Sequence, residues 1–217
     1  MLTLCGMPLS NYYNVPKMVL LEKRVPFAEH YVSTGNRDEA VLACSSLGKI
    51  PFLRTEDGPL CESEAIVEYL EARFPDPRLL PADPYAAAKV CELMKFIDLH
   101  LELVARDLYG KAFFGGEISE SNAARVRKLL EKNIAGFKRL AKFSPYVAGD
   151  TFTLADCAAF NHLPLVGLAT RIVLGEDLLA AAGLEIKPYL KLVGERPSAQ
   201  KVVADRKADQ AKLATKS

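Results

Sequence analysis

The sequence predicts two domains, a mixed α/β domain at the N-terminus and an all-α helical bundle after it. Short apolar strands alternate with amphipathic helices through residues 1–75, and helical periodicity continues from residue 86 almost to the end. Between them, four prolines fall within residues 75–84. Because proline neither continues a helix nor joins the interior of a sheet, residues 76–85 are predicted to be a linker. The predicted domains are therefore 1–75 and 86–217, the second ending in a polar tail.

The first domain is predicted to have the order β-α-β-α-β-β-α. Residues 1–5 are apolar and end at a Gly-Met-Pro turn, which indicates a buried strand. A helix is expected over 15–23, with Pro16 in its first turn, where a missing N–H costs nothing. The remaining expected elements are a strand at 27–32, a short helix at 38–44, a hairpin from 50–54 and 59–62, and an amphipathic helix at 65–74.

The second domain is predicted to be entirely helical. Thr153 and Asp156 have the spacing of a capping box, which indicates where one apolar helix begins. The helices are expected at 86–109, 121–143, 153–168, 178–182, 186–195 and from 198 onward.

Composition excludes several classes of protein. Lysine and arginine number 28 against 27 acidic residues, a net charge of +1, which argues against nucleic acid as the main partner. No run of about 18 apolar residues and no secretory signal is found, so neither a membrane span nor export is expected. The five cysteines and three histidines do not cluster, so no metal site is predicted. An odd number of cysteines in such a chain suits the reducing cytoplasm.

Two short motifs in the first domain are candidates for binding a small molecule. Pro51 opens a strand after Lys49 and Ile50, an unusual place for proline. Glu62 and Ser63 stand where the hairpin meets a helix, with Ser63 as the expected N-cap. Free N–H groups there attract a carboxylate and Glu62 can pair with an ammonium group, which suits an α-amino acid. The alternative is a plain serine cap beside a solvated glutamate.

The element order is that of a thioredoxin-like domain, and the chain as a whole resembles bacterial members of the cytosolic glutathione transferase family. The resemblance rests on the order and spacing of several motifs. These are Gly48-Lys49-Ile50-Pro51, Glu62-Ser63-Glu64-Ala65-Ile66, Leu80-Pro81-Ala82-Asp83-Pro84, the box from Thr153 to Asp156, and Glu195-Arg196-Pro197-Ser198.

The resemblance implies that glutathione is the co-substrate and lies along the first domain. It implies that the backbone of Ile50, before a cis-Pro51, pairs with the cysteinyl part of glutathione. Glu62 and Ser63 would hold its γ-glutamyl end, and Lys49 or Arg37 would balance its glycine carboxylate. The resemblance also implies a homodimer.

The family's chemistry needs the glutathione thiolate, because the neutral thiol is a poor nucleophile. Lowering a thiol pKa of about 8.5 by two units needs roughly 2.7 kcal/mol, which a hydroxyl donor and a helix N-terminus can supply. The resemblance to serine-type members, the tau and zeta classes, implies that Ser10 is this donor. Asn11, through its amide, and Tyr12 or Tyr13, through a phenol, are the alternatives.

The second substrate is expected to be a small apolar electrophile bound between the domains. Tyr12, Tyr109, Phe113 and Phe114 are the candidates for lining its pocket, although a helical aromatic residue is more often part of a core. Asp98 lies on the long helix that, by resemblance, lines the dimer interface, and a solvated carboxylate is the alternative.

Several other functions are compatible with the same fold. A thiol-disulfide oxidoreductase needs a cysteine at the start of the first helix, and this chain has Ser10-Asn11-Tyr12-Tyr13 there. A glutathione-dependent isomerase or dehalogenase would use the same thiolate. A non-enzymatic regulator similar to stringent starvation protein is the third alternative.

Overall fold

A mixed four-stranded sheet forms the centre of the first domain in the computed structural model, which describes residues 1–215. Its strands are β1 (Leu2–Gly6), β2 (Phe27–Tyr31), β3 (Phe52–Arg54) and β4 (Pro59–Cys61). In the described residues they lie in the order β2-β1-β3-β4. β1 is parallel to β2, and β3 is antiparallel to both β1 and β4. The predicted β-α-β unit followed by a hairpin is confirmed.

The two central strands, β1 and β3, are buried on both faces of the sheet. Leu4 pairs with Leu53, and the next pair along the strands, Cys5 and Phe52, points to the opposite face. All four side chains are fully buried. Cys5 and Phe52 form a cluster with Val41 from the second helix. The near-continuous apolar character of β1 is therefore explained by burial on two sides.

Three helices alternate with these strands along the chain: α1 (Asn11–Glu22), α2 (Glu39–Leu42) and α3 (Ser63–Arg73). The predicted start of the first helix at residue 15 is wrong. Ser10 is its N-cap, and the Ser10 side chain accepts a hydrogen bond from the Tyr13 N–H at 3.3 Å. This cap satisfies a backbone donor of the first turn, so the helix begins earlier. Pro16 consequently lies inside α1, where its ring nitrogen offers no proton to the carbonyl of Tyr12.

The second domain consists of helices over the described residues. α4 (Pro84–Phe96) continues through a π-helical segment (Ile97–Glu102), α5 (Leu103–Ala105), a 3-10 turn (Arg106–Leu108) and α6 (Tyr109–Phe113). The predicted helix 86–109 is therefore interrupted. The later helices are α7 (Glu120–Leu140), α8 (Leu154–Leu174), α9 (Leu178–Ala181) and α10 (Lys187–Gly194).

The predicted capping box at the start of α8 is confirmed. A carboxylate oxygen of the buried Asp156 accepts from the Thr153 N–H at 2.8 Å. The other oxygen accepts from the Val147 N–H at 2.9 Å and the Tyr189 hydroxyl at 3.1 Å. Burial is the largest influence on Asp156 and raises the pKa of its carboxyl, while these hydrogen bonds oppose it. Asp156 is thus a structural residue that joins the start of α8 to two other segments.

The last helix, α11 (Pro197–Ala214), groups with the first domain and not with the helical one. The two compact units are Met1–Leu79 together with the chain from Gly194 onward, and Leu80–Val193. The predicted second domain, 86–217, included this helix; residues 216–217 lie outside the described residues. The regrouping has a physical cause, because Arg196 pairs with Glu22 at 2.6 Å and Asp205 pairs with Lys17 at 2.6 Å.

One helix in the described residues, α8, is long and apolar enough to cross a membrane by length and composition. Most of it is buried within its own unit. Its start is held by the Asp156 cap described above. A mostly buried core helix passes the same test of length and composition.

Candidate functional site

Sheet register brings the predicted binding segments to one edge of the first domain. Cys5 on β1 pairs with Phe52 on β3, and Phe52 pairs with Cys61 on β4. The residues immediately beyond this row are Gly6, Pro51 and Glu62, at the same end of three neighbouring strands. The loop before α1 and the start of α3 therefore begin beside Pro51. The sheet thus brings together residues that are up to 57 positions apart in the chain, as residues 5 and 62 are.

Ser10 carries a hydroxyl that is suited to stabilising an anion at this edge. Its oxygen accepts from the Tyr13 N–H, and the Ser10 N–H donates to the Met7 carbonyl at 3.0 Å. Within residues 1–215 no acceptor is found for the Ser10 hydroxyl proton. The side chain is half-buried and caps α1, so it stands at the positive end of that helix. A negatively charged sulfur here would meet both the hydroxyl proton and the helix terminus.

The alternative donors in this segment differ in burial. Asn11 is only 5% exposed, and Tyr12 is half-buried. The phenol of Tyr13 is buried and donates to the Glu29 carboxylate at 2.5 Å. Burial first, and then this carboxylate, raise the pKa of Tyr13. The Tyr13 ring also packs so closely on Gly6 that a Cβ there would come within 2.5 Å of it. Tyr13 is therefore structural, and Asn11 and Tyr12 stay the alternatives to Ser10.

Ile50 offers a backbone amide and carbonyl to a ligand. The Ile50–Pro51 peptide bond is cis, which confirms that prediction. In the described part of the chain, Ile50 forms no backbone hydrogen bond, since β3 begins only at Phe52. Its side chain is half-buried against the Cys5–Phe52 cluster. The peptide groups on either side of Ile50 are thus free to pair with an extended peptide.

Ser63 has a different role from the predicted N-cap. It is the first residue of α3, and the preceding Glu62 takes the cap position with a left-handed φ of 67°. The Ser63 hydroxyl donates to the Tyr12 carbonyl at 3.1 Å. That carbonyl needs an outside donor because Pro16, four residues later, has no N–H. In the described part of the chain the backbone N–H of Ser63 has no acceptor, as expected at a helix start, so a ligand can accept from it.

The two cations predicted to balance the glycine carboxylate of glutathione lie on neighbouring exposed segments. Arg37 and Lys49 are both exposed. Their segments are joined by a hydrogen bond from the Gly35 N–H to the Gly48 carbonyl at 3.0 Å. The structure therefore brings these segments together, and within residues 1–215 neither cation has an ion-pair partner.

The predicted aromatic pocket divides between the two units. Tyr12 lies in the first unit, and the other three residues lie in the helical unit. Tyr109 and Phe113 are edge-to-face at 5.0 Å between ring centroids, and Phe113 is 6.4 Å from Phe114. Tyr109 is buried, whereas Phe114 is 73% exposed. Burial, then the nearby Glu102 carboxylate, raise the pKa of Tyr109. A pocket shared with Tyr12 stays a prediction.

Asp98, predicted at a dimer interface, lies in the π-helical segment and is half-buried. π-Helical turns are rare and often occur at functional sites. Its predicted role at an interface between two copies stays a prediction.

The thiol-disulfide alternative has no cysteine to support it. Within residues 1–215 the cysteines form no disulfide; Cys5 and Cys157 are buried and the others are half-buried. None stands at the start of α1. In the same residues, no group of three or more His, Cys, Asp or Glu side chains is arranged to hold a metal ion.

Sequence reasoning missed two residues whose hydrogen bonds hold the loop between β1 and α1. The buried Asn14 donates from its side-chain amide to the Pro8 carbonyl at 2.8 Å. Asp209, on α11, accepts from the Leu9 N–H at 3.1 Å. The available signal was helical spacing within the tail, where acidic residues recur with Val202 on one face.

Known proteins resemble this chain in sequence and in fold. The family model described as "Glutathione S-transferase, N-terminal domain" matches residues 4–78. A glutathione S-transferase from Pseudomonas putida is 41% identical over 208 residues, which cover 96% of this chain and 94% of the relative. A stringent starvation protein A homolog from Coxiella burnetii is 30% identical over 197 residues, covering 91% and 88%.

A solved structure provides a further match. It is a glutathione S-transferase from Methylobacterium radiotolerans in complex with glutathione sulfonate. The two chains are 26% identical with a TM-score of 0.74, and the match covers 93% of this chain and 94% of the other. The fold, the order of motifs and these relatives together lead to one conclusion: the chain belongs to the glutathione S-transferase family.

Proposed function

We propose that this protein is a glutathione transferase in which the Ser10 hydroxyl stabilises the glutathione thiolate for attack on a small apolar electrophile. The observation that carries the proposal is the Ser10 side chain, with its oxygen capping α1 and its proton unengaged. The 41% identical relative named glutathione S-transferase supports the activity. The related structure that holds glutathione sulfonate supports the ligand.

Each part of glutathione has a complementary group in the first domain. The cysteinyl backbone pairs with the amide and carbonyl of Ile50. The Glu62 carboxylate, which is exposed, pairs with the γ-glutamyl ammonium group. The adjoining carboxylate takes the backbone N–H of Ser63, because the Ser63 hydroxyl proton is already donated to Tyr12. Arg37 or Lys49 balances the glycine carboxylate.

The chemistry consists of forming and using the thiolate. Near pH 7 a thiol with a pKa of about 8.5 is only a few per cent ionised. A hydrogen bond from Ser10 to the anion and the positive end of α1 both favour the ionised form. The thiol proton leaves to solvent, and the sulfur lone pair forms a bond to the electrophilic carbon. The displaced electron pair leaves with a departing group or moves into the acceptor, giving a thioether. An isomerase or dehalogenase would use the same thiolate on another substrate.

The electrophile pocket is proposed to involve Tyr12 and the aromatic cluster of Tyr109, Phe113 and Phe114. We extend the proposal to a cytoplasmic homodimer with Asp98 near its interface. The support for this extension is the family resemblance.

A non-enzymatic regulator is the second candidate, favoured by the 30% identity with a stringent starvation protein A homolog. Such a protein has no need of a glutathione site. Three features argue for binding: the Ser10 hydroxyl proton and the Ile50 backbone, which have no hydrogen-bond partner in residues 1–215, and the Glu62–Ser63 pair. Glutathione binding therefore separates the two candidates.

The test is calorimetric binding of glutathione together with the ultraviolet absorbance of the bound thiolate as a function of pH. We expect Ser10→Ala to raise the pKa of the bound thiol by about one to two units, a 10- to 100-fold loss of thiolate at pH values well below the wild-type pKa. Ser10→Thr keeps a hydroxyl and should restore most of the signal.

The matched control is Ser119→Ala. Ser119 caps α7 in the same way, accepting from the Asn122 N–H at 3.2 Å. Both variants lose an N-cap, which costs about 1 kcal/mol of stability, but only Ser10→Ala should change the thiolate. Absence of glutathione binding by the wild-type protein would reject the enzyme. A thiolate that persists in Ser10→Ala but disappears in Asn11→Ala or Tyr12→Phe would reject Ser10 as the donor.

A further inference from the structure

The polar C-terminal helix α11 presents one inward face whose members recur at helical spacing. Ser198, Val202, Asp205 and Asp209 are separated by four, three and four residues, which places them along one side of the helix. Val202 is fully buried, and Ser198 and Asp209 are 5% and 6% exposed. Acidic residues that face inward on an otherwise solvated helix require specific partners.

Successive residues along this face of α11 contact α1 from its last turn back towards its start. Ser198 hydrogen-bonds Glu22 in the last turn of α1. Asp205 pairs with the buried Lys17, in the middle of α1, at 2.6 Å. The final contact, from Asp209, passes the start of α1 and reaches the Leu9 N–H in the preceding loop at 3.1 Å. α11 thus runs antiparallel to α1, and Asp209, near the C-terminal end of α11, contacts the loop that carries Ser10.

The contact of Asp209 completes a clamp on one peptide group. The Pro8 carbonyl and the Leu9 N–H are the two polar atoms of the Pro8–Leu9 peptide. Asn14 donates to the carbonyl at 2.8 Å, and Asp209 accepts from the N–H at 3.1 Å. With both sides held, this peptide plane cannot rotate without losing a hydrogen bond, and it directly precedes Ser10. One half of the clamp comes from α1 itself and the other from 200 residues along the chain.

We propose that Asp209 is a positioning residue for Ser10: by holding the Leu9 N–H, it orients the loop so that the Ser10 hydroxyl meets the glutathione sulfur. The inference rests on the proposed function of Ser10. Asp209 acts through geometry and not through charge, because a nearby carboxylate would by itself disfavour a thiolate. A neutral side chain with an acceptor oxygen in the same place should therefore serve equally well.

The experiment measures the pKa of glutathione bound to the full-length protein, from thiolate absorbance and from the pH profile of kcat/KM with a model electrophile, 1-chloro-2,4-dinitrobenzene. Asp209→Ala should raise this pKa by about half to one unit, reducing the thiolate three- to tenfold below the pKa. Measured below the thiol pKa, where glutathione is bound as the neutral thiol, the Kd for glutathione should change less than about twofold, because a positioning effect falls on the anion and not on uniform binding. Asp209→Asn keeps an acceptor and should restore the wild-type profile.

Asp205→Ala is the matched control on the same face of α11. It removes the contact with Lys17 and weakens attachment of the helix, but it leaves the Leu9 hydrogen bond in place. We expect lower stability and an unchanged thiol pKa. A measurement on the wild-type protein is independent of variant folding: the Leu9 amide should exchange slowly with deuterium.

Four results would overturn the inference. They are an unchanged thiol pKa in Asp209→Ala, an equal shift in Asp205→Ala, an equal shift in Asp209→Asn, and rapid exchange of the Leu9 amide in the wild-type protein. If the wild-type protein binds no glutathione while the Leu9 amide is protected, the proposed function fails although the clamp exists. If it binds glutathione as the thiolate and Asp209→Ala changes nothing, only the role of Asp209 fails.

Discussion

Ser63→Ala is the most direct test of how the chain accommodates a proline inside α1. The Tyr12 carbonyl would normally accept from the N–H four residues later, but position 16 is proline. The Ser63 hydroxyl replaces this donor at 3.1 Å. Removing it leaves a partly buried carbonyl without that partner. A typical hydrogen bond contributes about 1 kcal/mol and an unsatisfied buried group costs about 1–3 kcal/mol, so we expect a loss of about 1–2 kcal/mol.

The double-mutant cycle with Pro16→Ala isolates this interaction. Pro16→Ala restores a backbone N–H that can donate to the Tyr12 carbonyl within the helix. In that background Ser63→Ala should cost less than about 0.5 kcal/mol, giving a coupling energy on the order of 1 kcal/mol. The free energy of unfolding in urea is measured for the four proteins. Ser63→Thr, which keeps the hydroxyl, serves as the control and should remain close to wild type.

Equal costs of Ser63→Ala in the two backgrounds would refute the reasoning, because they would show that the hydroxyl does not substitute for the missing N–H. The same variants also test the proposed glutathione contacts. If the ligand carboxylate takes the Ser63 backbone N–H, Ser63→Ala should alter the Kd for glutathione by only a few-fold. A loss of binding without a loss of stability would reverse the assignment of the two groups.

Two other perturbations follow from buried charges. The side chain of Lys23 is fully buried; it pairs with Glu71 at 2.5 Å and donates to the carbonyls of Phe74 and Pro77. Lys23→Met should cost about 3 kcal/mol in urea unfolding, because Glu71 loses its buried counter-charge and the two carbonyls lose this donor; a near-neutral change would show that these contacts are dispensable. Burial alone would raise the pKa of Glu22, but hydrogen bonds from Arg196 and Ser198 outweigh it and hold that pKa below its ordinary value. When the pKa of a carboxyl is lower in the folded state than in the unfolded state, the stability that it contributes is present above the unfolded-state pKa. This stability is lost as the pH falls through the folded-state pKa. The free energy of unfolding should therefore decrease as the pH is lowered from about 4.5. Glu22→Gln should flatten this decline, and an unchanged slope would contradict the assignment.

The first helix shows why local sequence rules predicted the wrong first residue. Residues 15–23 were the predicted helix because Pro16 suits a first turn. Two local preferences conflicted, since Ser10 is an equally good N-cap and favours an earlier start. The conflict is resolved by Ser63, 51 residues from Tyr12, whose hydroxyl removes the penalty of an interior proline. No property of residues 10–23 alone reveals that donor.

The edge of the sheet that carries the candidate site was more predictable than the roles of its individual residues. The hairpin and the first strand could be recognised from apolar pattern and turn residues, and pairing then dictates that Pro51 and Glu62 end beside Gly6. The role of Ser63 could not be recognised, because its hydroxyl is engaged by a carbonyl from another element.

The sequence by itself determined the two-part architecture, the order of elements in the first domain and the capping box of α8, and it predicted the segments of the candidate site, because these depend on periodicity, proline and cap residues within short windows. The tertiary structure decided where α1 begins, which unit receives α11, and what holds the loop before Ser10. Each of these depends on a hydrogen bond or ion pair between residues far apart in the chain, such as Lys17 with Asp205. Local propensities carry no information about such pairs, since the partner becomes a neighbour only when the chain has folded.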